Sequence, residues 1–369
     1  MTTFRREGAV SNVDAKTQPP RVIGLAEALP AADSSGEPPG AADALERLLM
    51  ELRATIVGQN RMLERVLVSL LAGGHCLIEG VPGLAKTLTI ETLAKAVGGT
   101  FSRIQLTPDL IPADIVGTRI FRASSERFDV ELGPVFANIV LADEINRAPA
   151  KVQSALLEVM AERQVSIGGK THPVPAPFLV LATQNPIESE GVYALPEAQR
   201  DRFLLRVVVD YPNALEEAEI VRRMGIRPPV TDEVVTLDEL TALQAAAKAV
   251  YVDSQVLDYA VRLVMATRDP AAYGLPELAG QLAYGASPRA SLGLIAAGRA
   301  LALMRGRDYL LPQDVYDVGF EVLNHRLVLS YEALADGRTA EQIAVDVLSH
   351  VAAPELTPAQ VELRDRAAG

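Results

Sequence analysis

The sequence predicts a three-layer α/β domain on a parallel five-stranded sheet, followed by an all-helical domain. Three observations predict it. Between about residues 75 and 209, short apolar runs alternate with helical stretches, the βα alternation that lays helices on both faces of one sheet. The runs at 139–141 and 178–182 lack polar alternation, as suits central parallel strands buried on both sides. Beyond about residue 212, only helical spacing and helix-capping signals recur.

The elements follow in order. Residues 1–41 hold nine Pro and Gly and a single aromatic, Phe4; with no sustained period they read as a disordered tail, the alternative being a short docking segment at 22–29 that orders on binding a partner. Leu45, Leu48, Leu49 and Leu52 then recur at helical spacing, as do Met62, Val66, Leu67 and Leu70 in the next helix. Strands are expected at 75–79, 101–105, 138–142, 178–183 and 203–209, with helices near 86–97 and 150–163 between them. Two insertions interrupt this plan. Phe128-Asp129-Val130-Glu131-Leu132 alternates strictly and pairs with Ile120-Phe121 as a hairpin. Val165-Ser166-Ile167, Gly168-Gly169 and residues 171–174 read as a second hairpin.

In the helical half, Thr236 with Glu239 and Thr339 with Gln342 have capping-box spacing. Ser287-Pro288 supplies an N-cap and a first-turn proline for a helix running to about Met304. Further helices are expected near 254–268 and 313–324. The expected organisation is therefore a tail (1–41), an α/β core (42–212), a helical domain (213–355) and a C-terminal tail (356–369).

Composition excludes several functions. The 369 residues carry 35 Lys+Arg against 47 Asp+Glu, a formal charge of −12; a dedicated duplex binder needs the opposite balance. One cysteine excludes an intramolecular disulfide framework and a Cys-rich zinc site. Cys76 reads as a small buried hydrophobe, and the four histidines have no ligand spacing. Arg5 and Arg6 precede no apolar core of a secretory signal, and no run is long enough to span a membrane. These features predict a soluble protein of a reducing, cytoplasmic compartment.

The chemistry begins at Gly80-Val81-Pro82-Gly83-Leu84-Ala85-Lys86-Thr87, which follows a strand and opens a helix. Backbone N–H groups and a helix N-terminus there offer a positive field for phosphate oxygens. Lys86 is expected on the β/γ-phosphates and the Thr87 hydroxyl on Mg²⁺. Ala85 stands where such loops usually have Gly; the loop survives this if Ala85 already belongs to the helix. The apolar strand before Asp143-Glu144 puts two carboxylates at its C-terminal end. Asp143 is then expected to hold Mg²⁺ beside the loop, and Glu144 to polarise a water. Asn185, in Gln184-Asn185-Pro186 after the next strand, is placed to orient that water. Arg289 lies in a helix's first turn, where a cation opposes the macrodipole unless an anion is its partner.

Together these residues resemble the AAA+ ATPases, and most closely the MoxR family in the clade with an insert in its second helix. The resemblance covers about residues 42–355. It rests on the 80–87 loop, Leu141-Ala142-Asp143-Glu144-Ile145-Asn146-Arg147-Ala148-Pro149, Ala182-Thr183-Gln184-Asn185-Pro186, and the run from Leu195 through Asp201-Arg202-Phe203. It implies ATP and Mg²⁺ as ligands, Asn185 as first sensor, Arg289 as second sensor from the helical lid, and Arg202 as the arginine finger entering a neighbour's site. Arg200 competes with Arg202 for that role; the Asp-Arg-Phe match favours Arg202. Val57 and Gly58 would lie by the adenine. The resemblance further implies a head-to-tail homohexameric ring that hydrolyses ATP to remodel or mature client proteins, often with von Willebrand factor A domains. The alternatives are a nucleotide-switched scaffold with little hydrolysis and a ring helicase or DNA-repair motor.

Overall fold

The computed structural model describes residues 41–124, 126–186, 192–226 and 229–355. The expected tails, with the alternative docking segment at 22–29, lie outside the described residues, save Ala41, which opens the first helix. Helix α1 (Ala41–Thr55) buries Leu45, Leu48 and Leu52 along one stripe, and α2 (Asn60–Leu71) buries Met62, Val66, Leu67 and Leu70. The α/β region continues through β1 (Cys76–Glu79), α3 (Lys86–Ala96), β2 (Phe101–Gln105) and α4 (Pro112–Val116). A hairpin, β3 (Gly117–Arg122) with β4 (Arg127–Leu132), precedes β5 (Ile139–Asp143) and α5 (Ala150–Glu162). A second, β6 (Gln164–Ile167) with β7 (Lys170–Pro173), precedes β8 (Leu179–Gln184). The short α6 (Glu197–Arg200) leads into β9 (Leu205–Val208).

The sheet order is β2-β5-β8-β1-β9 and every pair is parallel. Successive side chains point to opposite faces, and the two cores divide accordingly. Cys76, Ile78, Leu141, Leu181 and Leu205 face α2 and α3. Leu77, Val140, Ala142, Val180 and Ala182 face α5. Because β8 lies between β1 and β5, the three strand ends that follow Glu79, Asp143 and Gln184 open side by side. That is the crevice where an open α/β sheet takes ligands.

The remaining helices are α7 (Ala214–Ile226), α8 (Leu237–Ala249), α9 (Ser254–Arg268), α10 (Pro288–Met304), α11 (Pro312–Leu323), α12 (Tyr331–Ala335) and α13 (Ala340–His350). The capping signals act as read: Thr236 and Thr339 form capping boxes on α8 and α13, and Ser287 caps α10 with Pro288 in its first turn. This half is not purely helical, however. β10 (Leu282–Tyr284) and β11 (Val328–Leu329) pair antiparallel, a ladder too short to show a period in sequence. The apolar cluster behind α2 and α3 continues into α8, α10 and α11, so the helical half shares the core of one sheet face. No helix among the described residues is long and apolar enough to cross a membrane.

Candidate active site

The loop after β1 ends in two residues of positive φ. Gly83 (φ 87°) has open space where a Cβ would stand. Ala85 caps α3 at φ 56°, ψ 16°, in the left-handed region. This corrects the expectation that Ala85 belongs to the helix: α3 starts at Lys86, and Ala85 bears the conformation that Gly would adopt without a Cβ clash. No acidic residue stands in the first turn of α3, so its N-terminal field stays positive.

Beside it opens a cavity of about 410 Å³, lined by Pro82, Gly83, Ala85, Lys86, Thr87, Leu88, Arg103, Asp143, Glu144, Thr183 and Asn185. The Lys86 ammonium donates to the Gly80 carbonyl at 2.6 Å. Its burial lowers its pKa, against the opposing pull of Asp143, Glu144 and Glu79. Asp143 accepts from the Thr183 hydroxyl at 2.5 Å through Oδ1, and from Arg103 through Oδ2 at 2.7 and 3.2 Å. Glu144 sits at φ 59°. Its N–H donates to Thr183 Oγ1 at 2.9 Å, while its Oε2 accepts from Gln105 Nε2 at 3.0 Å and from Arg147 at 3.4 Å. Asn185 is buried at the end of β8, its carbonyl accepting from Asn146 Nδ2 at 3.3 Å. The hard oxygens of Thr87 and Asp143 suit Mg²⁺, and the loop suits a phosphate chain; the residues present fit both.

A second, apolar cavity of about 90 Å³ adjoins the first at Gly83, Ala85 and Leu88, walled by Ile56, Val57, Leu84, Pro212, Ile220 and Met224. Val57 therefore lines it. Gly58 does not, but its φ of 65° makes the turn, and the Glu216 carboxyl closes over it where a Cβ would come within 2.8 Å. Glu216 also accepts the Asn213 N–H at the start of α7.

Three arginines stand elsewhere. The Leu204 N–H donates to the His75 carbonyl, and Leu205 pairs with Cys76, so residues 201–204 lie at the N-terminal edge of the sheet, opposite the cleft. There Asp201 Oδ2 accepts from Ser287 Oγ at 2.9 Å and faces Arg289 at 3.6 Å. The anion that the first-turn Arg289 required is thus Asp201 of its own chain. Arg202 is exposed and donates to the Leu157 carbonyl at 2.7 Å. Arg200 is half-buried, its Nε without a hydrogen-bond partner among the described residues and its charge bearing on buried His325.

The sequence reading missed Arg103, Gln105 and Thr183, which hold the two acids, and Ile220 and Met224, which wall the apolar cavity. Alternation along β2 gave a faint signal, putting Arg103 and Gln105 on one face.

Comparison with known proteins shows the family. The model of the ATPase family associated with various cellular activities (AAA) matches residues 75–205, and that of the AAA lid domain matches 278–351. Chaperone MoxR1 of Mycobacterium tuberculosis is 59% identical over 326 residues, 86% of each chain. This chain belongs to the MoxR family of AAA ATPases. The MoxR protein of Paracoccus denitrificans is 34% identical over 300 residues, 76% of this chain and 87% of its own. A crystal structure of a candidate ATPase from Cytophaga hutchinsonii superposes with a TM-score of 0.81 at 44% identity, covering 85% of this chain and 96% of its own. Family membership accords with the five-stranded parallel sheet and the helical C-terminal half.

Proposed function

We infer that this MoxR-family chain binds ATP with Mg²⁺ and hydrolyses it, using the cycle to remodel or mature client proteins. The observation that carries the reading is the single cleft wall formed by Lys86, Thr87, Asp143, Glu144 and Asn185. The apolar cavity at Val57 takes the adenine, and the 80–87 loop takes the phosphates. Thr87 and Asp143 would hold Mg²⁺, which when bound neutralises charge on the β- and γ-phosphates. Lys86 leaves the Gly80 carbonyl for phosphate oxygen. Asn185 orients a water, and Glu144 accepts its proton as it attacks the terminal phosphorus. The bond to the bridging oxygen breaks, giving ADP and orthophosphate.

Within one chain, Arg202 and Arg289 lie at the edge of the sheet opposite their own phosphate loop. On this reading both act on the phosphates of a neighbouring subunit, Arg202 as the finger and Arg289, turned from Asp201, as the second sensor. Exposure favours Arg202 over half-buried Arg200. A head-to-tail contact whose rotation closes makes a ring, and the family resemblance implies one of six subunits. It also implies clients with von Willebrand factor A domains, with residues 42–212 as the ATPase core and 213–355 as the lid.

The test is turnover in mixed rings. Glu144→Gln and Arg202→Ala are each expected to bind ATP and turn over slowly, an arginine finger being worth about 10³–10⁵ in rate. Mixed, they are expected to regain activity at interfaces that pair an intact Glu144 with an intact Arg202. Full activity of Arg202→Ala alone would overturn the trans assignment. A second reading, a nucleotide-switched scaffold, draws on the internal engagement of Lys86, Asp143 and Glu144. Absence of Mg²⁺-dependent turnover in the wild type would favour it.

A further inference from the structure

We propose that Arg103 holds the cation's seat on Asp143 and exchanges that carboxylate for nucleotide phosphate when a divalent cation binds. The inference rests on the nucleotide reading above and adds a residue to it. Arg103 directs two N–H groups to one oxygen, Asp143 Oδ2, at 2.7 and 3.2 Å. The other oxygen, Oδ1, is taken by the Thr183 hydroxyl at 2.5 Å. Thr183 is also tied to the Glu144 N–H and is 1% exposed. Oδ1 is therefore anchored by the fold, and Oδ2 is the oxygen left to meet a cation. The guanidinium now supplies that cation.

The arrangement suits exchange. Arg103 stands on β2, the edge strand of the sheet, and its side chain is 48% exposed, so it can turn without unpacking the core. Its one other partner among the described residues is Gln105 Oε1 at 3.1 Å. A divalent cation and a guanidinium on one carboxylate oxygen repel each other strongly in a partly desolvated cleft. Arg103 must then find another anion, and it already lines the cleft that holds the phosphate loop. A guanidinium matches phosphate oxygens through its planar fork of donors.

The experiment uses the full chain and Mn²⁺ as the probe, with free Mn²⁺ read by electron paramagnetic resonance and no nucleotide present. Arg103→Ala is expected to bind Mn²⁺ at least about fivefold more tightly than wild type, because the resident counter-ion is gone. Arg103→Lys, which keeps the charge but not the paired N–H groups, is expected to fall between them. Asp143→Asn should abolish uptake. Equal or weaker Mn²⁺ binding by Arg103→Ala, or none by either protein, would overturn the seat-holding role. In a second arm, calorimetry with a non-hydrolysable ATP analogue at saturating Mg²⁺ is expected to show roughly tenfold weaker binding by Arg103→Ala; unchanged affinity would overturn the exchange. If the wild type binds no nucleotide at all, the nucleotide reading and the exchange fall together, and the Mn²⁺ comparison still decides whether Arg103 guards Asp143.

Discussion

Ala85 shows how one residue carries strain into the site. Its left-handed backbone costs an L-residue about 1–2 kcal/mol, while a glycine there would lose more chain entropy on folding, about 0.4–1 kcal/mol. Ala85→Gly is therefore expected to stabilise the protein by about 0.5 kcal/mol in urea unfolding, whereas Ala85→Val is expected to destabilise it and weaken ATP binding. Thr183 is the other decisive residue. Its hydroxyl donates to Asp143 and accepts from the Glu144 N–H. Thr183→Val keeps the shape and removes both bonds. It leaves a buried N–H without its partner, at about 1–3 kcal/mol, and frees both acids to shift. Calorimetric melting should show that loss, and turnover should fall further than ATP affinity.

Between elements, His75 fastens β1 to two neighbours. Its Nε2 meets the Met160 carbonyl near the end of α5 at 3.1 Å, and its Nδ1 accepts the Val180 N–H of β8 at 3.0 Å. A ring that accepts at Nδ1 is neutral there. Burial, the largest cause, lowers its pKa from 6.5 to about 4. Between those values the unfolded chain binds a proton that the folded ring refuses, so stability falls as pH falls, by up to about 1.4 kcal/mol per pH unit. His325, also buried, is shifted in the same direction by burial and then by Arg326. Denaturant unfolding at pH 7.5 and 5 is expected to show this loss, and His75→Gln to lessen the pH dependence by one proton.

For the whole molecule, the apolar joint between the sheet and the helical half is crossed by buried polar ties. Arg326, just beyond α11, donates to Asp201 Oδ1 at 2.9 Å, to the Leu204 carbonyl at 3.1 Å and to the Phe203 carbonyl at 2.5 Å. Burial pulls its pKa down to about 10 against the support of Asp201. Arg206 forms a second tie, bridging Glu79 at 2.7 Å and Glu341 of α13 at 2.6 Å. Removing one partner of a buried pair costs about 3–5 kcal/mol. Arg326→Met is expected to lose that much in chemical denaturation and to disturb Arg289, which shares Asp201, while leaving Lys86 and Thr87 in place. ATP binding retained with impaired turnover would be its signature.

The sequence by itself determined the parts whose signals are local. Apolar runs marked the five strands, Thr236, Ser287 and Thr339 marked helix starts, and the 80–87 loop with Asp143-Glu144 marked the site, because period, capping and phosphate cradling act over a few residues. Tertiary structure alone decided what depends on strand order and side-chain reach. It put β8 between β1 and β5, so that a strand-end threonine joins both acids. It drew Arg103 from an edge strand onto Asp143, and closed the apolar cavity with Ile220 and Met224 of α7. It also set Arg289 against Asp201, at the sheet edge opposite the phosphate loop. No local pattern carries these contacts, since each joins residues whose separation along the chain is erased only when the sheet assembles and the helical half packs on its face.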